Sequence, residues 1–173
     1  RVTPVAFGAI FALSGGVGPI LGQNFGARRF DRIEQTMKDS FLVVIIYVLA
    51  VWLLLALLRN QISALFGATG AAAELINFFC VIGAASFLFN GLLFTANAAF
   101  NNLGFPLYSA ISNWGRSTLG VIPFVSLGAA WYGAIGALAG QALGAVLFGA
   151  GAAWVCFRVV ADLEQRNPPD API

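Results

Sequence analysis

Five long apolar runs dominate this chain, and they leave it few ways to fold. They cover residues 5–25, 40–58, 75–100, 108–127 and 131–157. Each approaches or exceeds the roughly 20 residues that carry an α-helix across a bilayer core. Barrel strands would be shorter and would alternate polar with apolar residues, and neither pattern is present. The runs therefore read as about five transmembrane helices of an all-α integral membrane protein. Composition agrees, because 9% of the 173 residues are charged and 60% are apolar, against roughly 25% charged in a soluble domain. So few charges could not cover a water-soluble domain of this size. High hydrophobicity excludes disorder for the body of the chain. A net charge of +2 gives no basic stripe to follow phosphates, so membrane lipid is the expected partner and nucleic acid is not.

The breaks between runs read as turns. Residues 26–39 form a charged loop, 59–74 a weakly polar one with Gly67 and Gly70, 101–106 a tight Asn/Gly/Pro turn, and 128–131 a very short connection. The segment 161–173 reads as a charged, Pro-rich, disordered tail. Arg28, Arg29, Arg32 and Lys38 fall on the same side as Arg158 and Arg166, whereas Arg1 and Arg59 fall on the other. By the excess of Lys and Arg on cytoplasmic segments, the first loop and the C-terminus are expected in the cytoplasm. The opening residue is Arg1 rather than Met, which suggests a piece of a longer protein.

Small residues mark faces where helices can approach closely in lipid. Gly8, Gly15, Gly18, Gly22 and Gly26 share one face of the first run, and Gly133, Gly136, Gly140 and Gly144 one face of the last. Pro19 and Pro123 are expected to bend their helices. The second run, free of Gly, Asn and charge from Phe41 to Leu58, reads as the most lipid-exposed.

The polar residues of the third and fourth runs are the candidate site. Gly83, Ser86, Asn90, Asn97 and Asn101 project within about 60° of one another on a helix. Ser109, Ser112, Asn113, Arg116 and Gly120 share a face of the next. An amide is costly in lipid without partners, so the stripe either bonds other helices or walls a wet cavity. Arg116 either faces that cavity or reaches toward the headgroups. Ser86, Asn90, Asn97, Asn101, Asn113 and Arg116 are thus the substrate-cavity candidates. Neither His nor an intramembrane carboxylate is present, and Cys80 and Cys156 sit alone in apolar runs. No nucleophile–base pair, cofactor or metal site is expected, and Glu74 reads as a charge suited to a helix N-terminus.

Three stretches carry a family resemblance. Gly16-Val17-Gly18-Pro19-Ile20-Leu21-Gly22-Gln23-Asn24-Phe25-Gly26-Ala27-Arg28-Arg29 resembles the multidrug and toxic compound extrusion (MATE) transporters. Ala96-Asn97-Ala98-Ala99-Phe100-Asn101-Asn102-Leu103-Gly104 and Asn113-Trp114-Gly115-Arg116-Ser117-Thr118-Leu119-Gly120-Val121-Ile122-Pro123-Phe124 are similar too, and 133–144 looks like the last span of bacterial members. The resemblance implies a twelve-helix antiporter of two six-helix lobes, with residues 1–160 forming most of the C-terminal lobe. It further implies export of small organic cations, drugs or toxic compounds by alternating access, driven by sodium or protons, from a multi-pass position in a bacterial plasma membrane. Some branches carry an acidic residue in the helix matching 75–100; this chain does not, and is closer to the branch resembling DNA-damage-inducible protein F. The coupling site would then lie in the N-terminal lobe, which would be the partner of this one. A lipid-linked saccharide flippase of the wider superfamily, or a non-transport membrane scaffold, is the alternative.

Overall fold

The computed structural model describes residues 2–166, all in helices or the turns between them. α1 (Val2–Gly26) is a continuous helix through Pro19, whose ring faces outward. α2 (Phe30–Leu57) begins ten residues before the apolar run does. The charged loop expected over 26–39 therefore shrinks to 27–29, where Arg28 takes a positive φ of 54°. The reason lies in periodicity that the charges obscure: Phe30, Ile33, Met37, Phe41, Val44 and Val48 bury one stripe at helical spacing. On the outer face Lys38 pairs with Glu34 at 2.7 Å and Gln35 donates to Asp39 at 2.7 Å. At about 1.5 Å per residue the helix is longer than the bilayer core is thick.

A short α3 (Arg59–Leu65) occupies part of the expected 59–74 loop, and Gly67 and Gly70 turn the chain at φ 58° and 55°. The third run is one rod with a change of winding. α4 (Ala71–Phe78) passes into a wide π turn (Phe79–Gly83), then a tight 3-10 turn (Ala84–Ser86), then α5 (Phe87–Asn102). Such switches disturb the regular hydrogen-bond ladder, and side chains supply extra donors there. The Trp52 indole N–H of α2 donates to the Val81 carbonyl at 2.7 Å, and the Ser86 hydroxyl to the Gly83 carbonyl at 2.7 Å.

α5 ends in a turn at Gly104 (φ 89°), and Pro106 opens α6 (Pro106–Gly115), where its missing N–H costs nothing. A second π turn, Arg116–Gly120, leads into α7 (Ile122–Arg166). Pro123 cannot donate to the carbonyl four residues back and its ring crowds that carbonyl, which accounts for the wide turn just before it. α7 is not straight: Tyr132 and Gly133 leave helical geometry, with Gly133 at φ 59° and ψ −139°. The break falls there rather than at 128–131, so Gly133 belongs to a corner and not to the glycine face. The helix then runs to Arg166, which makes the first residues of the expected disordered tail helical; residues 167–173 lie outside the described part.

The two arms of α7 fold back on each other through glycine. A Cβ on Gly136 would strike the Gly128 carbonyl, one on Gly140 the Phe124 carbonyl, and one on Gly144 the Gly120 carbonyl. Each contact is antiparallel and in register, so backbone lies directly on backbone. Gly18 and Gly22 of α1 face the Asn102 side chain of α5, with a Cβ on Gly18 only 2.7 Å from the amide nitrogen. Gly8, Gly15 and Gly26 are different: a Cβ on any of them would meet nothing within 4 Å. Among the described residues three helical stretches are long and apolar enough to cross a membrane, namely Phe30–Leu57, Ala71–Asn102 and Pro106–Arg166. With the last folded at Tyr132–Gly133 and α1 packed beside α5 and α2, the chain forms a bundle of five rods centred on α5. Two apolar clusters stack along that axis, one around Leu21, Met37, Phe100 and Cys156, the other around Phe7, Val48 and Cys80. The outer face of α2, including Leu42, Ile46, Leu53 and Leu57, is exposed.

Candidate functional site

The polar residues of α5 are held at its centre because the helix is packed on several sides, and an amide there must find a partner. Asn97 is buried and its Nδ2 donates to Asn113 Oδ1 of α6 at 3.2 Å. Asn113 Nδ2 in turn donates to the Ser109 carbonyl at 2.9 Å. Two turns away, Arg116 Nη1 donates to Asn90 Oδ1 at 2.8 Å. Asn90 Nδ2 points at the Ser86 carbonyl, at a long 3.5 Å, which fixes which end of the amide meets the guanidinium. Arg116 starts the second π turn and from there reaches Asn90 of α5. Two buried atoms of this network have no partner, Asn97 Oδ1 and Arg116 Nε.

Beside Arg116 opens a cleft of about 210 Å³ lined by Phe7, Ile10, Phe11, Phe87, Asn90, Phe94, Arg116 and Gln141. Its walls are aromatic. Phe7 stacks on Phe87 with centroids 4.2 Å apart, and Phe11 meets Phe94 at 4.9 Å. Of the six candidate residues, Asn90 and Arg116 line this cleft. The Ser86 hydroxyl is turned to its own helix, Asn97 and Asn113 bond each other, and Asn101 is exposed at the end of α5. Its neighbour Asn102 carries the contact with α1 instead. The phenylalanines and Gln141 escape a reading that looks for polar stripes. Their signal is spacing: Phe87, Asn90 and Phe94 stand three and four residues apart, on one helical face. A second, apolar groove between α1 and α2 is lined by Ala9, Ile10, Leu13, Val43, Val44 and Tyr47. Among the described residues no group of His, Cys, Asp and Glu could hold a metal ion.

The MatE family model matches residues 1–127. A Pseudomonas savastanoi protein, described as an uncharacterized 21 kDa protein in the iaaL 5′ region, is 36% identical over 152 residues, covering 83% of this chain and 47% of its own length. An FAD transporter of Shewanella oneidensis is 23% identical over 128 residues, covering 74% of this chain and 28% of its own length. The crystal structure of the Vibrio cholerae MATE transporter VcmN in its bent form superposes with a TM-score of 0.87 at 21% identity, over 95% of this chain and 38% of that one. A mutant of the same transporter gives 0.83 at 20% identity, over 97% and 37%. The structural likeness establishes the fold. In every case the chain spans less than half the length of its relative.

Proposed function

The chain belongs to the MatE family of membrane transporters, and from that premise we propose that it forms most of one lobe of an alternating-access exporter. The observation that carries the proposal is the cleft at Arg116. Ten residues of α6 separate Pro106 from Arg116, about 15 Å of helix rise, or half the depth of a bilayer core. A polar, aromatic-walled cleft at that depth is what a transporter needs and a lipid-facing scaffold does not. Phenyl faces grip amphipathic ring systems without locking onto one shape. Amides offer exchangeable hydrogen bonds, which suits a protein that must release what it binds.

Coupling to sodium or protons ordinarily calls for a carboxylate within the membrane. The acidic residues of this chain stand at Asp31, Glu34, Asp39, Glu74, Asp162, Glu164 and Asp170, none of them within the apolar runs 5–25, 40–58, 75–100, 108–127 and 131–157. We therefore assign coupling to a second lobe packed against this one. Organic cations and drugs are the cargo that the family resemblance suggests; a cation would take its counter-charge from the second lobe, because the one charge at this cleft is the positive Arg116. One relative is by its description an FAD transporter, so cargo in the family is not confined to cations. The membrane is assigned as a bacterial plasma membrane, with the C-terminus in the cytoplasm.

The test is efflux from cells that lack their own drug exporters. Full-length protein should extrude an aromatic dye in an energy-dependent way, and Phe94→Ala should raise the apparent KM while abundance holds. Collapsing the sodium or the proton gradient separately identifies the coupling ion. Efflux that equals the empty-vector control under both gradients refutes the transport reading.

A further inference from the structure

Arg116 is the one charged residue between Glu74 and Arg158 in the sequence. Counted along α6 from its start at Pro106, it comes about half a bilayer core into its span, where a guanidinium is costly, so something polar must meet it. Asn90 takes one N–H. A guanidinium has five, cannot be deprotonated, and here the buried Nε has no acceptor. Among the described residues Arg116 makes no ion pair; the pairs found are Lys38–Glu34 and Arg166–Asp162, both at the ends of the bundle. A full positive charge therefore opens, without an ion-pair partner, into a cleft whose remaining walls are four phenylalanines, Ile10, Asn90 and Gln141.

We propose that this cleft selects negative charge: it takes the carboxylate or phosphate of an aromatic substrate, with Arg116 as the charge-selecting residue. The inference rests on the cleft being substrate-facing, as proposed above. A planar guanidinium fork matches the two oxygens of a carboxylate or phosphate and forms short, charge-assisted bonds with them. Asn90 holds the fork from one side, because its Oδ1 accepts from Nη1 while its Nδ2 is turned to the Ser86 carbonyl. The phenyl faces hold the ring that carries the anion. A cation on the same faces would gain some attraction from the rings, but it would sit beside a like charge in a medium that screens poorly. At about 210 Å³ the cleft is smaller than the roughly 300–1,000 Å³ of a drug-sized pocket. It therefore receives the anionic head and one or two rings, not a whole large ligand. A lipid phosphate offers the same anion chemistry, and the experiment separates it from a free substrate.

The experiment is binding to full-length protein in phosphatidylcholine nanodiscs, with 2-naphthoate and 2-naphthylmethylammonium as probes of equal ring size and opposite charge. Naphthoate should bind about tenfold or more tightly than the ammonium, the size of one charge-assisted hydrogen bond. Arg116→Gln should erase that preference, and Arg116→Lys should keep its sign. Wild-type protein that prefers the ammonium overturns the proposal, and this arm needs no variant to fold. Phe94→Ala should weaken both probes. If it weakens neither, the cleft is not substrate-facing and the transport reading of this site fails instead. A final arm replaces half the phosphatidylcholine with phosphatidylglycerol. Unchanged naphthoate affinity supports a site for free anions. Phosphatidylglycerol that displaces naphthoate, and that co-purifies with wild type but not with Arg116→Gln, makes this a headgroup site and overturns the substrate assignment.

Discussion

Asn97 Nδ2 and Asn113 Oδ1 meet across two helices, and that bond gives both residues a partner within the lobe, while Asn97 Oδ1 stays unpaired. Interhelical hydrogen bonds in membranes contribute about 0.6 kcal/mol on average and up to about 1.7. Asn97→Ala should therefore lower thermal stability in detergent by an amount in that range. Asn113→Ala should cost about as much, and the double variant little more than either, because each single change already breaks the shared bond. Additive losses would mean that the amides do not meet. Per-molecule transport by Asn97→Ala should keep its wild-type KM, since Asn97 does not line the cleft. The residues of the site were only partly legible in the sequence for a physical reason. A helical wheel shows which side chains share a face, but the π turn at Phe79–Gly83 and the packing of α6 decide which of them meets a neighbour and which meets a cavity. Asn90 and Arg116 could be singled out because charge and amide are costly in lipid. Phe7, Phe11, Phe87 and Phe94 could not, because a phenylalanine is at ease on lipid, in a core or on a cavity wall.

Among the elements, the hairpin of α7 is the sharpest case of sequence dictating contact. Gly140 meets the Phe124 backbone, so even one added methyl must push two helices apart. Gly151 on the same helix meets nothing within 4 Å. Gly140→Ala should destabilise the protein by about 1–3 kcal/mol, as overpacking does, whereas Gly151→Ala should be neutral or gain up to about 1 kcal/mol from helix propensity. Fluorescence-detected size exclusion after heating compares the two directly. Equal loss from both would mean that the glycine face is not buried. The spacing of Gly136, Gly140 and Gly144 gave this contact away, since small residues every four positions form a groove on any straight helix. Element ends were less legible. The start of α2 was hidden because Asp31, Arg32, Glu34, Lys38 and Asp39 look like a loop by composition. They are the solvated face of a helix whose other face buries Phe30, Ile33 and Met37. The α7 corner was misplaced by a few residues because Gly128 and Gly133 are both plausible turn residues, and only tertiary packing assigns the first to a contact and the second to the positive φ.

The direction across the membrane that we propose for the whole molecule rests on its charge. The 27–29 connection and the first turns of α2 carry Arg28, Arg29, Arg32 and Lys38, while the opposite end around α3 carries Arg59. Lys and Arg within short connections are retained on the cytoplasmic side during insertion. In the bundle, the turn at Gly104 and the far end of α7 with Arg158 and Arg166 fall at the same end as 27–29, because Leu21, Phe30, Leu103 and Val160 share one apolar cluster. Packing thus gathers the basic segments at one end, and we propose that this end is the cytoplasmic one. Arg158 also lies over the Trp154 ring at 4.7 Å on the exposed face of α7, a pairing suited to the interface where aromatic and basic side chains gather. A single cysteine at Ala27 and another at Thr69, each in a background with Cys80 and Cys156 replaced by alanine, would test this. Both positions are exposed, and both native cysteines are buried. In intact cells an impermeant maleimide should label Thr69→Cys and spare Ala27→Cys until the membrane is opened. Labelling of both from outside would place an even number of crossings between them and break the five-rod arrangement. The reverse pattern would keep the arrangement and invert it, reversing the face from which a substrate enters the cleft.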